Sequence, residues 1–247
     1  MAQWLNGTVI SNHRWHDRLF SLRVSTGPFP FIAGQFVRLA LETPEGRIQR
    51  AYSLVNSPGS HEQEFLVSTV AEGLLSPRLQ QLQPGDTLHV SHPATGFFIL
   101  DEIPAGNTLW LISSGTGIGP FLSILGTAAP WQRFAKIILL HSVRTGADLV
   151  YQPLIQQWQQ QYPAQFHYQP VVTRERVNGA LSNRIPQLIE DGTLEQACGQ
   201  QLNKDSQVMM CGNPQMIVQT RAVLESKGLK KHLRRDPGQI TVEQYWK

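Results

Sequence analysis

The feature that most constrains this chain is a change of sequence grammar near Pro104. Before it, short strand-like runs alternate with turn residues: Trp4–Ile10, Leu19–Val24, Gln35–Leu41, Arg47–Val55, Glu64–Val70 and Thr87–Ser91. The breaks fall at Gly27-Pro28, Thr43-Pro44-Glu45-Gly46, Ser57-Pro58-Gly59 and Gln83-Pro84-Gly85-Asp86. Strands at such spacing predict an antiparallel β-barrel, with one short helix near Ser76–Leu82. After Pro104, the apolar runs Thr108–Ser113, Lys136–Ser142, His167–Thr173 and Gln207–Cys211 read as buried parallel strands. Helical stretches, Gly119–Ala128, Val150–Gln161 and Pro214–Lys227, lie between or after them. Strand and helix alternate, which predicts a doubly wound α/β parallel sheet with its ligand edge at the strand C-termini. The expected organisation is two domains, residues 1–102 and 103–247.

Several classes drop out. No run of 18 apolar residues occurs, so no membrane insertion is expected, and Met1–Gly7 lacks the features of a secretory signal. A cytoplasmic monomer is the expectation. Two cysteines, Cys198 and Cys211, cannot supply the four thiolates of an iron–sulfur cluster. The eight histidines show no metal spacing, and His13 and His16 read as surface residues of a turn, so no metal is expected. Nor is there a GxSxG elbow, an HExxH pair or a GxxxxGK[ST] loop. The net charge of +3 gathers partly in Lys227–Arg235, a run open to three readings: a nucleic-acid patch, a face for an acidic protein, or a solvated surface.

Four motifs and a set of three arginines carry chemistry. Arg50-Ala51-Tyr52-Ser53 offers a cation, an aromatic face and a hydroxyl from one strand, as a flavin nucleotide requires, and alternation sets Arg50 and Tyr52 on one face. Gly73-Leu74-Leu75-Ser76-Pro77-Arg78 opens the short helix, with Ser76 expected as N-cap, and free N–H groups there suit a phosphate. Gly115-Thr116-Gly117-Ile118-Gly119-Pro120 joins a strand to a helix, the context of a dinucleotide site, but no acidic residue follows about 20 residues on to hold a ribose hydroxyl. Arg144, Arg174 and Arg184 fall instead at strand ends or in the loops beyond, where guanidinium forks suit a 2′-phosphate, favouring NADP over NAD. Cys211-Gly212-Asn213-Pro214-Gln215-Met216 ends the fourth strand, with Asn213 expected to cap the next helix; Cys211 is either a small buried residue or a soft group beside a nicotinamide.

In this order, with Thr173-Arg174-Glu175 and the aromatic C-terminus, the motifs resemble the ferredoxin/flavodoxin–NADP reductase family of bacterial type over essentially the whole chain. The resemblance implies an FAD-binding barrel and an NADP-binding domain, with flavin and nicotinamide meeting between them. It makes Arg50, Ala51, Tyr52 and Ser53 the flavin strand, with Ser68, Thr69 and Val70 at the ring and Leu74, Leu75 and Ser76 as the pyrophosphate turn. It brings Thr116 toward the flavin, places Trp246 on the adenine and Tyr245 nearer the ring, and assigns Arg144, Thr173, Arg174, Arg184, Gly212 and Asn213 to NADP. Leu75 stands where the plant-type pattern has cysteine, the Ser57–Gln63 loop is too short to carry an adenine-stacking tyrosine, and the chain ends Tyr245-Trp246-Lys247. These departures point to the bacterial branch.

The implied activity is hydride transfer between NADPH and FAD and one-electron delivery to ferredoxin or flavodoxin, an acidic carrier. Ser53 and Cys211 are the candidate catalytic residues. A reductase of free flavin or a small acceptor on the same scaffold is the alternative. A nucleotide sensor or nucleic-acid binder is the rival from another class, and no nucleic-acid partner is expected.

Overall fold

The computed structural model describes residues 3–244. Packing divides the chain into two units, Met1–Ile99 with Gly119–Thr127, and Leu100–Ile118 with Ala128–Lys247.

The first unit holds β1 (Gln3–His16), β2 (Leu19–Ser25), β3 (Phe36–Thr43), β4 (Gly46–Ser53), β5 (Glu62–Ser68), α1 (Ser76–Gln81) and β6 (Thr87–His92). The strands form one antiparallel sheet in the order β4-β3-β6-β1-β2-β5. Period-two alternation turns Phe20, Leu22 and Val24 of β2, Val37 and Leu39 of β3, Phe65 and Val67 of β5, and Leu88 and Val90 of β6 into a single core. The sheet curls as a barrel because Val55 N–H donates to the Glu64 carbonyl at 2.9 Å, tying the end of β4 to the start of β5. The side chain of Asn12 reaches the Leu79 and Leu82 carbonyls at 3.1 and 2.9 Å, satisfying orphan acceptors at the end of α1. His13 and His16 lie within β1, opposite Ser21 and Leu19, not in a turn; only Asp17 and Arg18 separate β1 from β2.

The second unit holds β7 (Thr108–Ser114), α3 (Ala129–Arg133), β8 (Lys136–Val143), α4 (Gln152–Gln161), β9 (Phe166–Val172), α5 (Ile185–Glu190), α6 (Thr193–Cys198), β10 (Ser206–Gly212), α7 (Pro214–Ser226) and β11 (Ile240–Gln244). A 3-10 turn, Gly115–Ile118, leads from β7 into α2 (Gly119–Leu125), and α2 packs in the first unit. The five strands are parallel, ordered β11-β10-β7-β8-β9. Trp110, Ile112, Ile138, Leu140, Val208 and Met210 of the sheet pack with Ile185, Leu188 and Ile189 of α5 and Ile217 and Leu224 of α7. The Ile240–Val242 segment pairs with the sheet as its apolar character suggests, Val242 lying opposite Met210.

Two expectations of local structure need correction. The helix read over Gly119–Ala128 ends at Leu125, and α3 restarts at Ala129 with Pro130 in its first turn. Gly126 is a poor helix former, and proline cannot donate the N–H that a continuing helix would need. Helices α5 and α6 went unread, since six residues each are too few for a periodic signal.

Candidate functional site

In the first unit, β4 and β5 are the two ends of the sheet order. Continued antiparallel from Val55 and Glu64, their register would set Ala51 opposite Ser68 and Arg50 opposite Thr69. No β4–β5 ladder forms there among the described residues, so the seam stays open. One lip carries Arg50, Ala51, Tyr52 and Ser53, and the other carries Ser68, Thr69 and Val70. Arg50 and Tyr52 share a face, since their partners Leu39 and Val37 both point into the core. Tyr52 packs against that core, and burial pushes its phenol up to about 12 against the opposing pull of Arg50, so it remains a neutral O–H donor. The Arg50 guanidinium is exposed and donates to the Gln49 carbonyl at 2.7 Å. Ser53 is buried beside Phe36.

Two observations fit this seam to a planar heterocycle. Among the described residues the buried Thr69 hydroxyl oxygen has no hydrogen-bond partner, an arrangement that costs free energy unless a ligand supplies one. Val70 and Leu74 are 60% and 58% exposed, an apolar rim beside polar backbone. The chain from Val70 to Ser76 forms a closed turn: Gly73 N–H donates to the Val70 carbonyl at 2.8 Å, and Val70 N–H donates to Ser76 Oγ at 3.0 Å. Here the N-cap expectation fails. Leu75 holds the N-cap position, and Ser76 is the first helical residue, its hydroxyl already committed to Val70. The Leu75 side chain is buried in the barrel core, so only its backbone remains for a phosphate.

In the second unit the chain runs outward from β7 through β8 to β9 and then returns to place β10 on the other side of β7. The β7/β10 boundary is therefore the topological switch point, where open α/β sheets bind ligands. Cys211 lies opposite Ser113 at this edge and is fully buried. Beyond them two loops interlock. A Cβ on Gly117 would stand 2.4 Å from the Cys211 carbonyl oxygen, and one on Gly212, at φ +131°, would stand 2.6 Å from the Ser114 carbonyl. Asn213 N–H donates to Ser114 Oγ at 2.9 Å, while the Asn213 side chain caps α7 by accepting from Gln215 and Met216 N–H, as expected. Thr116 is half-buried in the 3-10 turn.

The three arginines share the adjoining edge of this sheet. Arg144 follows β8 and Arg174 follows β9, and Arg174 N–H donates to the Arg144 carbonyl at 2.9 Å. The Thr173 hydroxyl donates to the Val143 carbonyl at 3.1 Å, fastening the same loop. Arg184 precedes α5, three residues beyond Leu181, which bridges to Val171 of β9. All three guanidinium groups are exposed, and among the described residues none has an acidic partner. Glu175 turns away to accept from Gly146 N–H, and Asp148 accepts from Thr145, so the nearby carboxylates are spoken for. Uncommitted guanidinium forks at a ligand edge fit a phosphate dianion.

The basic run looks different once folded. Lys227 pairs with Glu195, Lys230 with Asp236 and Arg234 with Glu102, so among the described residues only Lys231 and Arg235 of its five cations lack an acidic partner. Tyr245 and Trp246 lie outside the described residues. Sequence reasoning passed over His141, which is fully buried in β8 with Nε2 3.0 Å from the Gly115 carbonyl oxygen. A lone histidine ending the apolar run Ile137–Leu140 was the available signal.

Comparison with known proteins gives a consistent result. Residues 8–99 match the oxidoreductase FAD-binding domain family, and residues 111–222 match the oxidoreductase NAD-binding domain family. The chain is 49% identical over 248 residues to the flavodoxin/ferredoxin–NADP reductase of Escherichia coli, covering 100% of both. It is 36% identical to a ferredoxin–NADP reductase of Pseudomonas aeruginosa, covering 98% of each chain. The crystal structure of a ferredoxin NADP+ reductase from Neisseria gonorrhoeae with bound FAD and NADP superposes with a TM-score of 0.94 at 32% identity, covering 100% of both chains.

Proposed function

Because this chain belongs to the flavodoxin/ferredoxin–NADP reductase family, we propose that its open β4–β5 seam receives FAD and that its switch-point edge receives NADPH. The protein is an FAD-dependent oxidoreductase that transfers electrons between NADPH and a ferredoxin or flavodoxin. Bound FAD supplies the chemistry, accepting a hydride and releasing electrons singly.

The chain's own residues bind and orient. Arg50 offers charge to the flavin pyrophosphate, joined by the backbone of Leu74, Leu75 and Ser76. Tyr52 gives the ring an aromatic wall, while Ala51, Ser68, Thr69 and Val70 line the seam, with the Thr69 hydroxyl awaiting a partner. Arg144, Arg174 and Arg184 take the 2′-phosphate, helped by Thr173. Gly212 and Asn213, interlocked with the glycine turn, shape the nicotinamide half of the site. Ser53 and Cys211 are the proposed catalytic residues, one beside the ring and one beside the nicotinamide. Thr116, Tyr245 and Trp246 are assigned to FAD by the family resemblance alone.

The observation that carries this reading is the set of three exposed arginines that have no acidic partner among the described residues, at the edge next to the switch point. We place the protein in the cytoplasm as a monomer serving an acidic carrier, which the formal charge of +3 favours through long-range attraction. Among the described residues no helix is long and apolar enough to cross a membrane. The test is NADPH-driven reduction of a cytochrome, with and without added ferredoxin or flavodoxin. The expected result is strong stimulation that weakens as salt rises. Equal rates with and without the carrier would instead mark a reductase of small acceptors.

A further inference from the structure

His141 is a fully buried polar residue to which the binding roles above assign no part. It lies on β8 opposite Ser113 of β7, with no exposed surface, at the end of the apolar run Ile137–Leu140. Its Nε2 sits 3.0 Å from the carbonyl oxygen of Gly115, while its buried Nδ1 has no partner among the described residues. A carbonyl only accepts, so Nε2 must carry the proton and Nδ1 the bare lone pair. A residue present for packing alone would be apolar, since a buried unpaired nitrogen is costly. The bond to Gly115 is the compensation. Desolvation pushes the imidazole down to about 4, so this tautomer persists at neutral pH; the opposing influences are the Gly115 carbonyl and the Asp148 carboxylate.

Gly115 opens the 3-10 turn in the left-handed region, at φ +55°, with open space where a Cβ would stand. The turn is thus held by two strands. On the β10 side, Gly117 fits against Cys211, and Asn213 N–H reaches Ser114. On the β8 side, the His141 imidazole holds the turn by its bond to the Gly115 carbonyl.

We propose that His141 is the positioning residue of the dinucleotide turn: by donating Nε2–H to the Gly115 carbonyl, it holds Gly115–Ile118 in the shape that seats the nicotinamide nucleotide. This rests on the reading that the switch-point edge receives NADPH. His141 touches no reacting atom and acts only through the turn.

The test compares His141→Gln, His141→Asn and His141→Leu in the FAD-loaded protein. Glutamine can place an amide N–H near the position of Nε2, whereas asparagine is too short and leucine has no donor. Three readouts are taken: imidazole 15N spectra, the NADP+ dissociation constant, and single-turnover flavin reduction by NADPH with dithionite reduction as control. The wild type should show a protonated Nε2 and a bare Nδ1. His141→Asn and His141→Leu should lose roughly tenfold in NADP+ affinity or NADPH-driven reduction, the loss of about one hydrogen bond. His141→Gln should stay within about threefold of wild type, and dithionite reduction should not change in any variant. An Nδ1-protonated tautomer, or glutamine no better than asparagine, overturns the inference. If the leucine variant fails to fold, the glutamine–asparagine pair decides. A wild-type flavin that NADPH cannot reduce would instead defeat the functional reading, and the 15N spectrum would still decide the hydrogen bond.

Discussion

In the first unit the candidate flavin site is a seam between two strand edges, whereas in the second the candidate phosphate site is three long side chains standing at loop ends. The seam is set by register: where Val55 pairs with Glu64 the sheet closes, and four residues back along β4 it does not. Such a site is shaped first by where the strands end. The arginine edge works the other way. Its backbone is ordinary parallel sheet, and its proposed preference rests on guanidinium groups that no carboxylate among the described residues has claimed. A cofactor that stays bound suits the first design. A substrate that must be told from a near twin lacking one phosphate suits the second.

The largest effect should come from stripping the arginine edge. Each of Arg144→Ala, Arg174→Ala and Arg184→Ala should weaken NADPH roughly 10- to 150-fold, as for a hydrogen bond to a charged group. If the losses add, the triple variant should lose at least roughly a thousandfold. NADH kinetics should hardly move, and FAD content should be unchanged. Parallel losses for NADH would mean that the arginines support the fold.

Next comes acid sensitivity in the second unit. The folded protein takes up a proton at His141 only near pH 4, the unfolded chain near 6.5. Folded-state pKa is depressed, so this contribution is whole above about pH 6.5 and is lost as pH falls toward 4, by about 3 kcal/mol in all. Denaturant titrations from pH 7 to 4 should show that loss, and His141→Gln should flatten it. A variant with the wild-type slope would assign the sensitivity to other groups.

Two smaller effects would sharpen the contrast on the seam side. Arg50→Ala should weaken FAD roughly 10- to 150-fold by flavin release while leaving NADP+ affinity alone, because Arg50 is the one seam residue whose charge is used. Ser68→Ala, on the opposite lip, should alter FAD affinity by no more than about threefold. A large loss there would mean that the seam depends on side chains as the arginine edge does.

Much of this was legible in the sequence, for identifiable reasons. Strands of period two and apolar runs between helical stretches announce the two sheets, because burial on one face or on both leaves different patterns. Asn213 and Pro214 announce the start of α7 because capping is local. The non-local features were not legible. Ser76 looks like an N-cap, but its hydroxyl answers Val70 across the turn, a partner that only the folded loop supplies. Lys227–Arg235 looks like a bare cationic patch, yet Glu195 and Glu102, remote in sequence, neutralise two of its members and Asp236 a third. His141 gave no signal beyond an odd residue at the end of an apolar run, since its meaning lies in a carbonyl of the neighbouring strand's loop.

The most direct test of the account is an anaerobic absorption spectrum of the purified protein, recorded before and after addition of NADPH and again with NADH. The account predicts a yellow protein that releases FAD, not FMN, on denaturation and whose flavin band bleaches with NADPH far more readily than with NADH. A colourless protein that takes up no flavin, or a bound flavin that both dinucleotides reduce equally well, would contradict it.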